Sequence, residues 1–364
     1  MKRMIALVAL GVLVFTTPGS TLGQNAELRN LEICWVDVEG GQATLFVSPT
    51  GESLFYDTGY PDEDRDAKRI FAATQEAGLT RIDHVVTSHW HGDHVGGLAA
   101  LSEMIPIGRF YDHGEGVEPS DQARLDAYKA VAGDSRTIVN AGDTIPFDGV
   151  QLRAVVSEGP VIAEPINGGG PNPLCANAVQ MGPAGPENQR MVGLALNYGD
   201  FKFVSLGDLD WQREMELACP VNKLGTVTLF TVSRHGSLDN SGPPAMLGAI
   251  RPQVVVVNNG PQKGLGARDD RVATITVPGV QPDPFEQNAY LRLAGTPGVE
   301  DIWQGHLSLL DSDPNHNTSP DMIANLEEGA RDQAHWIHAS VGADGRFTLT
   351  NSRNGFSKTY MARR

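Results

Sequence analysis

Within the stretch Thr87-Ser88-His89-Trp90-His91-Gly92-Asp93-His94, six consecutive positions hold four side chains able to bind a metal: His89, His91, Asp93 and His94. His89 and His91 lie two apart, so on an extended backbone both imidazoles project to one side, while Asp93 and His94 follow at once and can turn towards a second point nearby. A lone histidine is usually a surface or satisfied core residue. Four ligand types at this spacing, with glycines that let the backbone fold tightly, suit two adjacent divalent metals better than one. The element that must present them is the apolar run Ile82 to Val86, which reads as a short buried strand; Val95-Gly96-Gly97-Leu98 behind them reads as the turn into a helix.

His-x-His-x-Asp-His after a strand resembles the signature of the metallo-β-lactamase fold. The flanks extend the resemblance: Val36-Asp37-Val38-Glu39-Gly40-Gly41-Gln42-Ala43, Phe55-Tyr56-Asp57-Thr58-Gly59, Leu206-Gly207-Asp208 and Arg234-His235-Gly236-Ser237. In that order the pieces look most like the hydrolase domain of the competence protein ComEC and its secreted relatives. The resemblance implies two divalent metals, zinc first among them. His89 and His91 would hold one, Asp93, His94 and His235 the other, and Asp208 would bridge both. Asp57 would orient a ligand through hydrogen bonds from beneath. Taken alone, Asp208 also reads as a turn aspartate and His235 as a polar loop residue.

Two departures from the family pattern concern the first metal and the substrate. Many members carry a third histidine a short way before the bridging aspartate, and that place here falls near Asn188, which leaves it a supporting role beside the site. His113 falls too early, and it and His306 read as surface histidines. Where relatives often show two consecutive histidines this chain has Arg234-His235, and a guanidinium cannot bind a metal but can receive a substrate anion. The implied activity is hydrolysis, with a metal-activated water attacking a phosphorus or carbonyl centre. Asp93 or Asp208 would take the proton, and Arg234 or the pair Asn258-Asn259 would orient a small phosphodiester or ester. Amide or ester hydrolysis of the β-lactamase or lactonase type is the second reading, and a metal-binding protein without catalysis the third.

Strand-like stretches at Glu32 to Val38, Ala43 to Val47 and Ser53 to Asp57 precede a helical spacing over Arg65 to Gly78. A helix over Val95 to Met104 follows the metal loop, then a strand at Phe110 and Tyr111 and a helix over Ser120 to Ala132. Residues 157 to 188 are rich in Gly and Pro and read as a loop over the active site. Strands resume at Met191 to Tyr198, Phe201 to Leu206 and Thr226 to Thr231, then a helix over Pro244 to Ile250 and the apolar strand Gln253 to Val257. The fold class expected is α/β, a metallo-β-lactamase-like αβ/βα sandwich of two mixed sheets packed face to face with helices outside. It divides into a leader over 1–24, the hydrolase-like domain over 25–260, and an extension over 261–364 packed on the core. That last stretch includes a helix over Phe285 to Leu293 and a hairpin of Trp336 to Val341 with Gly345 to Thr350.

Composition narrows the partners. The chain has 364 residues and a formal charge of −16, which becomes −18 once the leader's Lys2 and Arg3 are gone. Such a surface repels phosphate backbones, and no Lys/Arg cluster longer than a pair follows the leader, so long nucleic acid is not expected and a small-molecule substrate is. Cys34 reads as a small core residue in a buried strand. Cys175 and Cys219 lie in Pro-flanked loops, where a disulfide is open to them in an oxidising compartment. The charged start, the apolar run Met4 to Phe15 and the small and polar stretch after it have the order of a secretory signal; an uncleaved anchor or a buried first strand are the alternatives. The expectation is an exported protein that does not span the membrane after cleavage. Intact mass of the exported protein should place its first residue between 22 and 27; a mass that still includes Met1 to Leu13 would refute this.

Overall fold

The computed structural model describes residues 29–182, 185–237, 241–266, 288–311, 313–327 and 334–364. The expected leader and the first residues of the helix expected over 285–293 lie outside them. The first part of the chain forms β1 (Leu31–Trp35), β2 (Thr44–Val47), β3 (Ser53–Tyr56), α1 (Arg65–Glu76), β4 (Ile82–Val86), α2 (Gly92–Val95), α3 (Leu98–Met104), β5 (Ile107–Asp112), α4 (Asp121–Ala132) and β6 (Arg136–Ile138). The second part forms β7 (Gln151–Val156), β8 (Gly193–Tyr198), β9 (Phe201–Ser205), α5 (Trp211–Ala218), β10 (Leu229–Thr231), α6 (Pro244–Ile250) and β11 (Val254–Val257). After these come α7 (Ala289–Ala294), β12 (Asp301–His306), β13 (Ile323–Asn325), β14 (Ile337–Val341), β15 (Arg346–Asn351) and β16 (Ser357–Met361).

Two sheets result, a nine-stranded one in the order β16-β15-β14-β1-β2-β3-β4-β5-β6 and a seven-stranded one in the order β13-β12-β11-β10-β9-β8-β7. The strands β3 to β6 run parallel to one another, as do β9 to β13. Parallel strands are covered on both faces and so read as unbroken apolar runs; all four valines of β11 are buried. Between the sheets, the Phe46 ring meets Phe203 edge-on at 5.3 Å, and Trp35 Nε1 donates to Thr231 Oγ1 at 2.9 Å. The amphipathic helix α1 buries Ala67, Ile70 and Ala73 against the outer face of the larger sheet. This is the expected sandwich of two packed mixed sheets with outer helices.

The helix expected over Val95 to Met104 is split into α2 and α3 at Gly96-Gly97. A Cβ on Gly97 would stand 2.2 Å from the carbonyl oxygen of Thr58, so only glycine lets the turn approach the loop after β3 this closely. Helix α5 was not read from the sequence: it has only eight residues, and its signal is Asp210, whose carboxylate caps the helix by accepting from the Arg213 amide at 3.0 Å. Likewise β13 and β16 carry too few apolar residues to stand out.

The chain after residue 260 supplies β12 and β13 to the smaller sheet and β14 to β16 to the larger, where β14 pairs directly with β1. Ile337, Val341, Phe347 and Leu349 are all buried in the common core. At roughly 1.5–3 kcal/mol per buried side chain, an upper estimate, their loss rivals the whole net stability of a domain. A chain truncated after residue 266 should therefore be unfolded by circular dichroism and proteolysis; a protease-resistant fragment with native-like near-UV signal would show that the first 260 residues fold alone.

Candidate metal centre

The parallel strands of both sheets end on one side, and their carboxyl ends carry the candidate ligands. Asp57 follows β3, His89 to His94 follow β4, Asp208 follows β9, Arg234 and His235 follow β10, and Asn258 follows β11. The half-buried Asp93 and the buried His94, Asp208 and His235 bring their ligand atoms within 4.8 Å of one another, and a second set, His89, His91 and Asp208, meets the same limit. Asp208 belongs to both. The ring nitrogens His94 Nε2 and His235 Nε2 stand 3.3 Å and 3.1 Å from Asp208 Oδ1, and each is 3.4 Å from Asp93 Oδ2. Among the described residues no directed hydrogen bond satisfies His94 Nε2, His235 Nε2 or Asp208 Oδ1, although all three are buried. Buried polar atoms without partners are costly, so two such imidazole nitrogens converging on two carboxylates fit a divalent cation.

Each imidazole of that set is turned towards the centre by a bond on its far side. His94 Nδ1 donates to Asp57 Oδ2 at 2.7 Å, and His235 Nδ1 donates to the Asn258 carbonyl at 3.3 Å. Asp57 also accepts from the Ser88 amide at 2.6 Å and the Ser88 hydroxyl at 2.7 Å, so this fully buried carboxylate ties the ligand loop to the end of β3. Burial pushes the Asp57 carboxyl up, offset in part by His94 and Ser88. Burial also opposes charge on Asp93 and Asp208, but the imidazoles His94 and His235 outweigh it and hold both carboxyls well below the usual range. The same pairs, against the effect of burial, hold His94 well above the ordinary imidazole value, while burial and its neighbouring histidines push His89 well below.

The second ligand set is differently placed. His89 Nδ1 lies 2.9 Å from the Ser88 hydroxyl. His91 Nε2 lies 3.3 Å from Glu118 Oε2. With its amide oriented to satisfy its neighbours, Asn188 donates from Nδ2 to His91 Nδ1 at 3.1 Å, and its Oδ1 accepts from the Arg234 guanidinium, at 3.2 Å from Nη2 and closer from Nη1. Arg234 Nη1 also donates to the Asp208 carbonyl at 3.3 Å. Both Arg234 and His235 adopt left-handed backbone, φ 51° and 57°, in the sharp turn that brings the two side chains to the centre together.

Three functional residues escaped the sequence reading. Lys263 reaches in from the loop after β11: its ammonium contacts Asp93 Oδ2 and donates to the Tyr60 hydroxyl at 3.0 Å. No spacing links Lys263 to Asp93; the loops meet because Gly40 (φ 84°) has no side chain, a Cβ there lying 2.6 Å from the Gly260 amide. Glu187, fully buried, accepts from the Trp90 amide at 3.0 Å, from His113 Nε2 at 2.9 Å and from the Val117 amide at 3.2 Å, gripping the ligand loop from behind. Glu214 does the same for the other loop, accepting from the Ser233 hydroxyl and the Gly242 amide, both at 2.6 Å.

Several expectations are corrected. His113 and His306 are buried rather than superficial, His113 against Glu187 and His306 with Nε2 2.6 Å from Asp37 Oδ1. The Asn258 and Asn259 side chains do not face a substrate: Asn258 Nδ2 donates to Gln42 Oε1 at 2.8 Å and Asn259 Nδ2 to the His306 carbonyl at 2.8 Å, tying loops together. In the loop expected over 157–188, residues 172–179 are held by the Cys175–Cys219 disulfide, by Asn172 on the Ala218 carbonyl at 3.0 Å and by Trp211 Nε1 on the Val179 carbonyl at 2.9 Å. The loop meets the centre at Glu187 and Asn188.

Burial raises the Glu214 carboxyl to about 8, with the bonds from Ser233 and Gly242 lowering it. A carboxyl raised on folding binds its proton in the native state and loses it in the unfolded one, so its contribution is fully present below the unfolded value and is lost as pH rises towards 8. Between about pH 5 and 8 this group should reduce stability by up to about 1.4 kcal/mol per pH unit, a slope absent in Glu214→Gln. Denaturant melts of both proteins across that range test it, and parallel pH profiles would refute it.

Residues 36–175 match the model of the Metallo-beta-lactamase superfamily, which ends before Asp208 and His235. An atrochrysone carboxyl ACP thioesterase of Aspergillus fumigatus is 29% identical over 128 residues, 34% of this chain and 26% of that protein. One from a Cryptosporiopsis species is 33% identical over 94 residues, 25% of this chain and 26% of that one. The chain thus spans about a quarter of the length of these curated relatives. Among solved structures, the metallo-beta-lactamase fold protein YhfI of Bacillus subtilis aligns with a TM-score of 0.42 and 11% identity over 75% of this chain and 96% of that one. The match over residues 36–175 and the two packed mixed sheets agree with the ligand loop at the end of β4, and the fold is that of the metallo-beta-lactamase superfamily.

Proposed function

We propose that the protein is an exported, divalent-metal-dependent hydrolase of small anionic esters. The observation that carries the reading is the convergence of Asp93, His94, Asp208 and His235, with three buried atoms that no described residue satisfies. Two imidazoles and two carboxylates suit zinc best. Bound there, a divalent metal supplies Lewis acidity and water activation near neutral pH. In this reading Asp93 or Asp208, both kept ionised by the neighbouring imidazoles, would accept a proton from an attacking water. Two cations, Arg234 and Lys263, border the ligand set and favour a substrate that carries negative charge. A two-metal arrangement, expected from the sequence, would put its other ion at His89, His91 and Asp208, where His91 has both ring nitrogens engaged.

Phosphodiesters, implied by the competence-protein resemblance, are anionic esters of this kind, whereas the fungal relatives are named as thioesterases, whose scissile bond is neutral. The formal charge of −16 supports a small substrate over long nucleic acid. The leader-like order of residues 1–24 and the Cys175–Cys219 disulfide, a bond that persists in oxidising compartments, support export. The test is a panel of a chromogenic phosphodiester, a thioester, a lactone and a β-lactam, run before and after chelation. Chelation should abolish turnover and zinc restore it, and Asp208→Asn should lower kcat by at least about a hundredfold together with metal content. Full turnover in the chelated protein, or metal binding with no turnover of any substrate, would replace this reading with a different chemistry or a binding role.

A further inference from the structure

We propose that the chain carries a single resident divalent metal, at Asp93, His94, Asp208 and His235, and that Asn188 and Arg234 make the place beside His89 and His91 a seat for an anionic oxygen of the substrate. The inference rests on the metal-hydrolase reading and specifies its site. Four observations lead to it. The buried atoms left without a directed partner include His94 Nε2, Asp208 Oδ1 and His235 Nε2, all in the four-residue set, whereas neither ring nitrogen of His91 is among them. His91 is saturated, accepting from Asn188 at Nδ1 (3.1 Å) and facing Glu118 at Nε2 (3.3 Å). That leaves His89 and the shared Asp208 as donors for a second ion, too few for zinc without three or four protein ligands.

The charge on that side is also wrong for a cation. The Arg234 guanidinium bonds Asn188 Oδ1 and the Asp208 carbonyl, and so a permanent positive charge is fixed next to His91. Its Nε is buried without a partner among the described residues, an N–H donor still to be satisfied. Asn188 is itself buried, which fixes the amide that holds the guanidinium in place. A planar guanidinium with a free N–H matches an anionic oxygen, phosphoryl or carboxyl, and offers it charge-assisted hydrogen bonds of the stronger kind. Both sources share the same recognition chemistry, a trigonal or tetrahedral oxyanion.

The full chain decides this in two measurements. Zinc content after dialysis against a zinc-buffered solution should be one per chain in the wild type and in Arg234→Asn, a substitution chosen because asparagine tolerates left-handed backbone. It should be two in Asn188→His/Arg234→Asn, which restores a donor and removes the charge. Calorimetric titration of the zinc-loaded protein with inorganic phosphate should show binding that weakens about tenfold in Arg234→Asn, the effect of one lost charge-assisted contact. Two zinc ions in the wild type, a folded double variant that still takes one, or phosphate binding that is absent or unchanged by Arg234→Asn overturns the proposal while leaving metal-dependent hydrolysis standing. No zinc in the wild type overturns the metal-hydrolase reading itself.

Discussion

Everything at the centre answers to one electrostatic constraint: Asp93 and Asp208 are both ionised, both largely buried, and face one another across a few ångströms. Like charges in a desolvated space repel strongly unless cations stand between and around them. The fold meets that demand with His94 and His235 on the inside and with Lys263 and Arg234 on the rim. It can only do so if the groups cannot retreat, and each is therefore locked by a second bond. Asp57 fixes His94, the Asn258 carbonyl fixes His235, and each ligand loop has a buried glutamate at its back, Glu187 for one and Glu214 for the other.

The two halves of the chain make equivalent contributions to this frame. Each sheet ends its parallel strands at the site, and the ligands sit on the tight turns that follow them, where a strained backbone such as that of Asp57, Arg234 or His235 can be held by the rigid strands before it. Trp35 on Thr231 and Tyr56 on the Val192 carbonyl, the latter at 2.5 Å, bind the sheets to each other just beneath. The relative position of Asp93 and Asp208 is thus set by the interface between the sheets.

What was legible in the sequence follows from how local each signal is. His89 to His94 lie on one loop, so their spacing alone marks them, and β11 is an apolar run that no other element explains. Asp208 and His235 needed the family resemblance, because a turn aspartate and a loop histidine carry no local mark. Lys263 and Glu187 were invisible for a stricter reason: their partners are 170 and 97 residues away, and a single lysine or glutamate in a loop is ordinarily solvated. The charge of Glu187 is worth burying only because Trp90, Val117 and His113 offer three donors at once, a fact of tertiary structure alone. Helix α5 escaped because eight residues hold barely two turns of periodicity.

The placement of β14 beside β1 has a consequence for how the protein is made. The hydroxyl of Ser340 on β14 donates to Glu32 on β1 across 308 residues of chain, and the rest of that strand pair is as distant in sequence. A ribosome delivers β1 well before β14, so the edge of β1 that pairs with β14 stays open until that strand is made. Strand pairs of such long range close slowly, and an open edge invites association with other chains. The pairing of β14 with β1 is thus a long-range step in building the larger sheet, and until it closes the edge of β1 is open to other chains.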